Sequence, residues 1–237
     1  MPWIPERRSL PELLDLPRDS CAREELEGLF NDLTFVNDRL GNGRAVLKHL
    51  AAMNAETADE GFTVLDVATG TADIPVTIAK WARQAGIRVR VTAVDLDPLT
   101  INIARKRSKH YPEITLAVAD GFNLPFANQR FDYVICSKTA HHFTDEGVTR
   151  IIREFSRVAR RGYVIVDLRR NWIAYILILL MTRLFSRNRL SRSDGPLSVL
   201  KSFTPEELAA LASRSGASVF RVSKEPFWLM VLEGRVI

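Results

Sequence analysis

The sequence predicts an α/β fold, a doubly wound and mostly parallel sheet, and three observations carry that prediction. The β-branched, apolar residues 62–65 run into Asp66, then a small-residue loop, then residues 74–83 with apolar side chains at helical spacing, which reads as strand, tight turn and helix. Two further apolar runs, 89–95 and 114–119, also meet an acid, at Asp95 and Asp120, and helical or turn segments separate all three. In a doubly wound sheet such strand ends line one crevice, where ligands bind.

Taken in order, the chain opens on a proline-rich arm, Pro2 through Pro17, too rich in ring-locked φ angles for regular structure. From Arg23 the pattern turns helical: Leu26, Leu29, Phe30 and Leu33, continued by Phe35, Val36, Leu40, Val46, Leu47 and Leu50 across a break at residues 41–43. Two or three helices are expected before the first core strand, either packing on the sheet or supplying lid residues at Phe35, Asn37 and Leu40. The domain boundary falls near residue 60, with an arm and helical lid over 1–60 and the sheet domain over 61–237.

The charges of the first loop decide what it binds. Ala68, Gly70 and Ala72 alternate through the turn, so the backbone can pass close to a ligand, and Gly70 is free to take a positive φ. A pyrophosphate would seat on amide donors at the helix N-terminus, yet here the strand ends in Asp66 and the helix opens with Asp73. Two carboxylates repel a dinucleotide and suit a ligand carrying an ammonium and a sulfonium, and a single glycine falls short of the Gly-x-Gly-x-x-Gly fingerprint. S-Adenosylmethionine therefore fits better than NAD. The run Asp66-Val67-Ala68-Thr69-Gly70-Thr71-Ala72 resembles the first motif of the seven-stranded, class I S-adenosylmethionine-dependent methyltransferases, keeping the acid and the central glycine and replacing the outer two glycines with alanine.

That resemblance implies roles for the later strand ends. Asp95-Leu96-Asp97-Pro98 matches the family's second motif, which makes Asp95 the acceptor for a ribose diol with Leu96 beside it, while Asp97 caps the helix that begins at Pro98. Asp120 takes the position that accepts from an adenine amino group, with Gly121 or Phe122 against the ring. The run Phe131-Asp132-Tyr133-Val134 opens the fourth strand, a further signature of the family, and delivers Cys136, Ser137, Lys138 and Thr139 to the crevice. The expected cofactor set is Asp66, Ala68, Thr69, Gly70, Asp95, Leu96, Asp120, Gly121, Phe122 and Ser137.

His141 and His142 follow at once, and an imidazole there can act as general base toward a phenolic or enolic proton, the alternative being a histidine that only positions its loop. The fifth strand covers 161–168, and an insertion over 169–203 comes before the sixth. Residues 172–181 are apolar all round and bounded by arginines, too short to cross a bilayer, which leaves a buried helix, the wall of an apolar pocket, or a helix resting on a membrane over 171–192. Residues 191–198 read as a loop able to close over substrate, with Asp194 and Ser198 as its polar candidates. Candidate acceptor contacts are Phe35, Lys138, His142, Trp172, Tyr175 and Asp194. Thr204, Pro205 and Glu207 form a capping box at a last helix, and residues 217–223 and 227–232 make a final hairpin that turns the last strand antiparallel and brings the count to seven.

With 237 residues, 46% of them hydrophobic and 26% charged, the chain suits one α/β domain with additions. Its two cysteines show no metal-ligand spacing, so no metal is expected, and a reducing, cytoplasmic setting is the plain reading. The net charge of +5 gathers in arginines after residue 150, read as a solvated helix face and an arginine-rich turn. Neither an aromatic platform for a flipped base nor an Asn-Pro-Pro-Tyr motif is present, which argues against nucleic acid as partner. The expectation is methyl transfer from S-adenosylmethionine, leaving S-adenosylhomocysteine, to a small, largely apolar acceptor of the phenol, quinone or polyketide kind at oxygen. Carbon methylation and a non-catalytic cofactor-binding scaffold are the alternatives, and a dimer is compatible with the sequence.

Overall fold

A computed structural model describes residues 4–16, 23–56 and 61–236, without the side chains of residues 23 and 35–38. The sheet has seven strands: β1 (Gly61–Val67), β2 (Arg88–Asp95), β3 (Ile114–Val118), β4 (Phe131–Ser137), β5 (Ala159–Leu168), β6 (Val219–Glu225) and β7 (Leu229–Arg235). They lie in the order β3-β2-β1-β4-β5-β7-β6. The first five pair in parallel, and β7 runs antiparallel to both of its neighbours. The order reverses between β1 and β4, so the crevice opens beyond the ends of β1, β2 and β4.

Among the described residues, eight α-helices flank the sheet: α1 (Arg23–Arg39), α2 (Asn42–Ala55), α3 (Asp73–Ala85), α4 (Pro98–Ser108), α5 (Asp145–Val158), α6 (Trp172–Phe185), α7 (Arg189–Lys201) and α8 (Pro205–Arg214). The period-two alternation of β1 sends Phe62 and Val64 to a core with α2 and α3, and Leu65 and Val67 to a core with α5 and α8. A smaller cluster, Leu26, Leu29, Phe30, Ile103 and Leu190, ties α1 to α4 and α7. The expected caps are present. Asp97 accepts from the amides of Leu99 and Thr100, and Thr204 and Glu207 complete the capping box of α8. Asp132 of the Phe-Asp-Tyr-Val signature is structural: its carboxylate accepts from the amide and hydroxyl of Thr63 at 2.9 and 2.8 Å and pairs with Arg160 and Arg161.

One expectation is corrected. Residues 191–198 are not a loop but the middle of α7, despite Gly195 and Pro196. Tertiary contacts override these breakers: Leu190 and Val199 are fully buried, and Asp194 accepts from the amides of Leu13 and Leu14 at 2.9 and 3.0 Å, which fastens the helix to the N-terminal arm. At Gly195 a methyl group would come within 3.0 Å of Thr182, so glycine lets α7 approach α6 closely. The arginines after residue 150 form the expected solvated face, with Arg150 and Arg153 exposed, and they also hold the chain together. Arg150, Arg153 and Arg157 donate to carbonyls of Phe122, Ser215 and Phe126, and Arg157 also clamps Glu154.

The arm itself is strapped across the molecule. Arg7 donates to Lys201 O and Phe143 O, pairs with Asp145 at 2.7 Å and stacks 3.6 Å above the Phe203 ring. Among the described residues, no helix is long and apolar enough to cross a membrane.

Candidate active site

One cavity of about 1370 Å³ occupies the crevice, larger than the 300–1,000 Å³ common for a single small-molecule site. All ten residues of the expected cofactor set line it: Asp66, Ala68, Thr69, Gly70, Asp95, Leu96, Asp120, Gly121, Phe122 and Ser137. His141, His142, Lys138, Leu40 and Asp194 line it too.

The loop after β1 holds an unusual backbone. Ala68, Gly70 and Ala72 all have left-handed φ, at 57°, 56° and 63°. Alternating left-handed residues turn the chain tightly into α3, and at two of them an alanine accepts a conformation that costs a side chain about 1–2 kcal/mol. Gly70 faces open space, and its amide donates to Asp95 Oδ2 at 2.9 Å while Asp97 N donates to Asp95 Oδ1 at 3.1 Å. Both oxygens of Asp95 are thus fixed from behind, and each keeps lone-pair capacity for a diol. Asp120 is held in the same manner by Phe122 N at 2.9 Å and the Asn123 amide at 2.7 Å. Phe122 packs edge-on against Phe143. Gly121 leaves room for Val67, which a side chain would strike at 2.9 Å.

Asp66 is fully buried and its Oδ2 has no hydrogen-bond partner. Burial pushes its carboxyl up to about 7, and the charges of Asp95 and Asp73 add to the rise. Asp73, by contrast, has partners. Arg107 of α4 pairs with it at 3.0 Å, and Thr34 of α1 donates to it at 2.9 Å. Of the two acids expected to favour a cationic ligand, only Asp66 is left uncompensated.

At the other end of the cavity stands a buried ionic cluster. Asp167, at the end of β5, accepts from His141 N at 2.9 Å and meets His141 Nδ1 at 2.7 Å. Burial would drive the His141 imidazole down, but the charge and hydrogen bond of Asp167 outweigh it and raise the pKa above its ordinary value. Burial likewise pushes Asp167 up, and His141 together with the amides of Leu168 and His141 more than reverses it. His142 stacks on His141, with ring centroids 4.4 Å apart, and its Nδ1 meets Asp15 at 2.7 Å. Glu12 lies 3.7 and 3.8 Å from the Nε2 atoms of the two histidines. These three side chains bring potential metal ligands within 4.8 Å of one another, but the buried ammonium of Lys201, 3.3 Å from Glu12 and 3.0 Å from Asp15, already supplies a positive charge there.

Lys138 has a left-handed φ of 53° and donates its amide to Val166 O; desolvation pulls its amine down to about 8. Burial pushes the Cys136 thiol far up, away from any nucleophilic role. Three acceptor candidates are not free to meet an acceptor, two by position and one, Asp194, by its bonds. Trp172 and Tyr175 pack edge-on against each other at 5.7 Å outside the cavity, and Asp194 spends its carboxylate on the arm. Phe35 lies on α1 with its side chain outside the described residues. Sequence reading misses Asp167, which the strand-end rule would have found, and Asn42, whose carbonyl accepts from Ser137 at 3.0 Å. Glu12, Asp15 and Lys201 carry no local signal, since only the fold brings them to the histidines.

Residues 64–162 match a family model described as a methyltransferase domain. Over this stretch, which is under half of its length, the chain is similar to the class I S-adenosylmethionine-dependent methyltransferases. Among relatives of the methyltransferase domain, the chain is 27% identical over 157 residues to a demethylmenaquinone methyltransferase of Staphylococcus haemolyticus, covering 65% of this chain and 64% of that protein. It is 30% identical over 127 residues to a 2-phytyl-1,4-naphtoquinone methyltransferase of Thermosynechococcus vestitus, covering 54% of each. The chain therefore spans less than two thirds of the length of the curated relatives it matches. In fold, the chain superposes on a SAM-dependent methyltransferase from Aquifex aeolicus with a TM-score of 0.62 at 18% identity, covering 88% of this chain and 97% of the other. It also superposes on the magnesium protoporphyrin IX methyltransferase of Synechocystis, solved with S-adenosylhomocysteine, with a TM-score of 0.59 at 16% identity, covering 84% and 85%. The crevice fits the family's cofactor on its own evidence: the unpartnered oxygen of buried Asp66 suits a cationic ligand, and the pre-fixed oxygens of Asp95 suit a ribose.

Proposed function

We propose that this methyltransferase methylates a small, largely apolar acceptor of quinol or phenol type, at oxygen, with His141 removing the acceptor's proton. The single observation that carries the reading is that one cavity joins the Asp66-Asp95-Asp120 strand ends to the His141-Asp167 pair. When bound, S-adenosylmethionine supplies an electrophilic methyl group. The chain's own residues have three tasks. Asp95 and Asp120, each anchored by backbone amides, orient the adenosyl end. The apolar wall formed by Ile178, Met181 and Phe185 of α6 with Leu29 and Phe30 of α1 excludes water and favours a hydrocarbon-rich acceptor. Asp167 holds His141 in one tautomer and stabilises its protonated form, so the imidazole can take a proton from a hydroxyl as oxygen becomes nucleophilic.

The quinone names borne by the relatives support this acceptor class. Transfer to a ring carbon is the second reading, favoured by the same observation, because deprotonating a quinol hydroxyl also activates the neighbouring carbon. Calorimetric titration with S-adenosylmethionine and S-adenosylhomocysteine, with NAD as control, followed by transfer assays on quinols, phenols and polyketides with the product's methyl assigned by NMR, tests the proposal. Binding of the adenosyl ligands with methylation of a quinol or phenol is expected. Binding without transfer to any of these acceptors would overturn the acceptor class and leave a cofactor-binding scaffold.

A further inference from the structure

Among the described residues, the outer face of α6 has no partner. Ile173, Ile176, Leu177, Leu180 and Leu184 recur every three to four residues and form one exposed apolar stripe, with Trp172 at its start and Phe185 at its end. Leu184 and Phe185 are 74% and 79% exposed, far beyond what scattered surface residues require. The opposite side of the same helix, Ile178, Met181 and Thr182, walls the cavity, and Phe185 belongs to both surfaces, so the cavity mouth opens at the end of the stripe.

What covers such a face is decided by its charge. Residues 168–193 hold six arginines and not one acid. Of these, Arg170 is buried on Ser202 O and Glu207, Arg189 pairs with Glu25, and Arg192 donates to carbonyls of Ser186 and Arg183. Asp32, the nearby acid of α1, is taken up by the hydroxyls of Ser186 and Ser191. Arg183 and Arg187 stay exposed beside Leu184 and Phe185. An apolar stripe about 20 Å long, too short to span and bordered by outward cations, is the pattern of a helix lying in a bilayer interface with its cations among phosphates. We propose that α6 docks the protein on an anionic lipid surface, with the cavity mouth turned toward the acyl region. The docking stands on the helix surface alone; only its consequence, uptake of a lipid-borne acceptor, rests on the proposed reaction.

Flotation of the full chain with vesicles of phosphatidylcholine mixed with phosphatidylglycerol, against phosphatidylcholine alone, tests this. The protein is expected to float with the anionic vesicles, less so at high salt. Ile176→Glu with Leu180→Glu, both outside the cavity wall, should weaken flotation at least about tenfold while cofactor affinity stays unchanged, which reports on folding. Arg183→Gln with Arg187→Gln should cost about fivefold per arginine on anionic vesicles and little on neutral ones. No flotation of the wild type, or unchanged flotation of the glutamate variant, overturns the proposal. So does a dimer in sedimentation velocity that the glutamate variant splits, because a second copy would then cover the stripe. Methylation of a water-soluble quinol is independent of all these outcomes.

Discussion

The two ends of the cavity are built in opposite ways. At the cofactor end the two acids expected to orient the adenosyl group are fixed mainly by their own turns, Asp95 by Asp97 N and Asp120 by Phe122 N and Asn123, with Gly70 N of the adjoining loop as the second donor to Asp95. At the acceptor end His141 and His142 meet partners from β5 and from the arm, and Lys201 of α7 joins them through Asp15, 186 residues away in sequence. A site made of local turns survives divergence of the surrounding chain and can be read from motifs. One made by packing depends on the whole fold and is free to change with the acceptor.

If this contrast is correct, breaking the acceptor end should abolish chemistry and spare cofactor binding. His141→Ala is expected to lower kcat by about 10²–10⁴-fold, and Asp167→Asn by a smaller factor with the pH–rate profile displaced downward, because the carboxylate no longer holds the imidazole pKa up. In the wild type, activity should rise with pH through a pKa above 6.5 as His141 loses its proton. Steady-state kinetics alongside calorimetry separate the two properties, and a fall in cofactor affinity matching that in kcat would erase the distinction between the ends.

The converse break is Asp95→Ala, which removes a charged acceptor of two expected bonds worth about 1.5–3 kcal/mol each. Affinity for S-adenosylhomocysteine should fall at least about a hundredfold by calorimetry, and unchanged affinity would remove the ribose assignment.

Asp66 sharpens the comparison through pH. Its folded carboxyl titrates near 7 against an ordinary 3.8, so the native state holds the extra proton between those values, and stability declines as pH rises across that window before levelling off. Asp66→Asn should therefore stabilise the protein by a few kcal/mol at pH 8 and by almost nothing below pH 4, read from denaturant curves at both pH values. The same variant should bind S-adenosylmethionine more weakly, and wild-type affinity should tighten as pH passes 7.

The smallest effect belongs to the turn. Ala68→Gly is expected to stabilise by about 0.5–1 kcal/mol by releasing a left-handed alanine. Ala72→Gly should come out near zero, since the methyl it loses is fully buried and worth about 0.8 kcal/mol. Thermal unfolding distinguishes the two.

Most of the sheet was legible because its strands alternate and end in acids, and the caps at Asp97 and Thr204 are local chemistry. Helix α7 was not, because Gly195 and Pro196 are breakers by any local rule and only burial of Leu190 and Val199, with the bonds of Asp194 to the arm, keeps them helical. The cluster of Glu12, Asp15 and Lys201 was illegible for the same reason: no short-range pattern announces a contact across so much chain. Trp172 and Tyr175 were misplaced because an apolar run does not disclose which of its faces turns inward.

Arg107 belongs to neither end. From α4 its guanidinium reaches Asn31 and Thr34 of α1 and Thr71 and Asp73 of the cofactor turn. An acceptor that displaces α1 must strain the bonds that also hold this turn, and a cofactor that tightens the turn must resist that displacement. Thermodynamic reciprocity then requires each ligand to alter the other's affinity by one common factor. A single side chain thereby ties the affinities of the two ligands together, whichever of them arrives first.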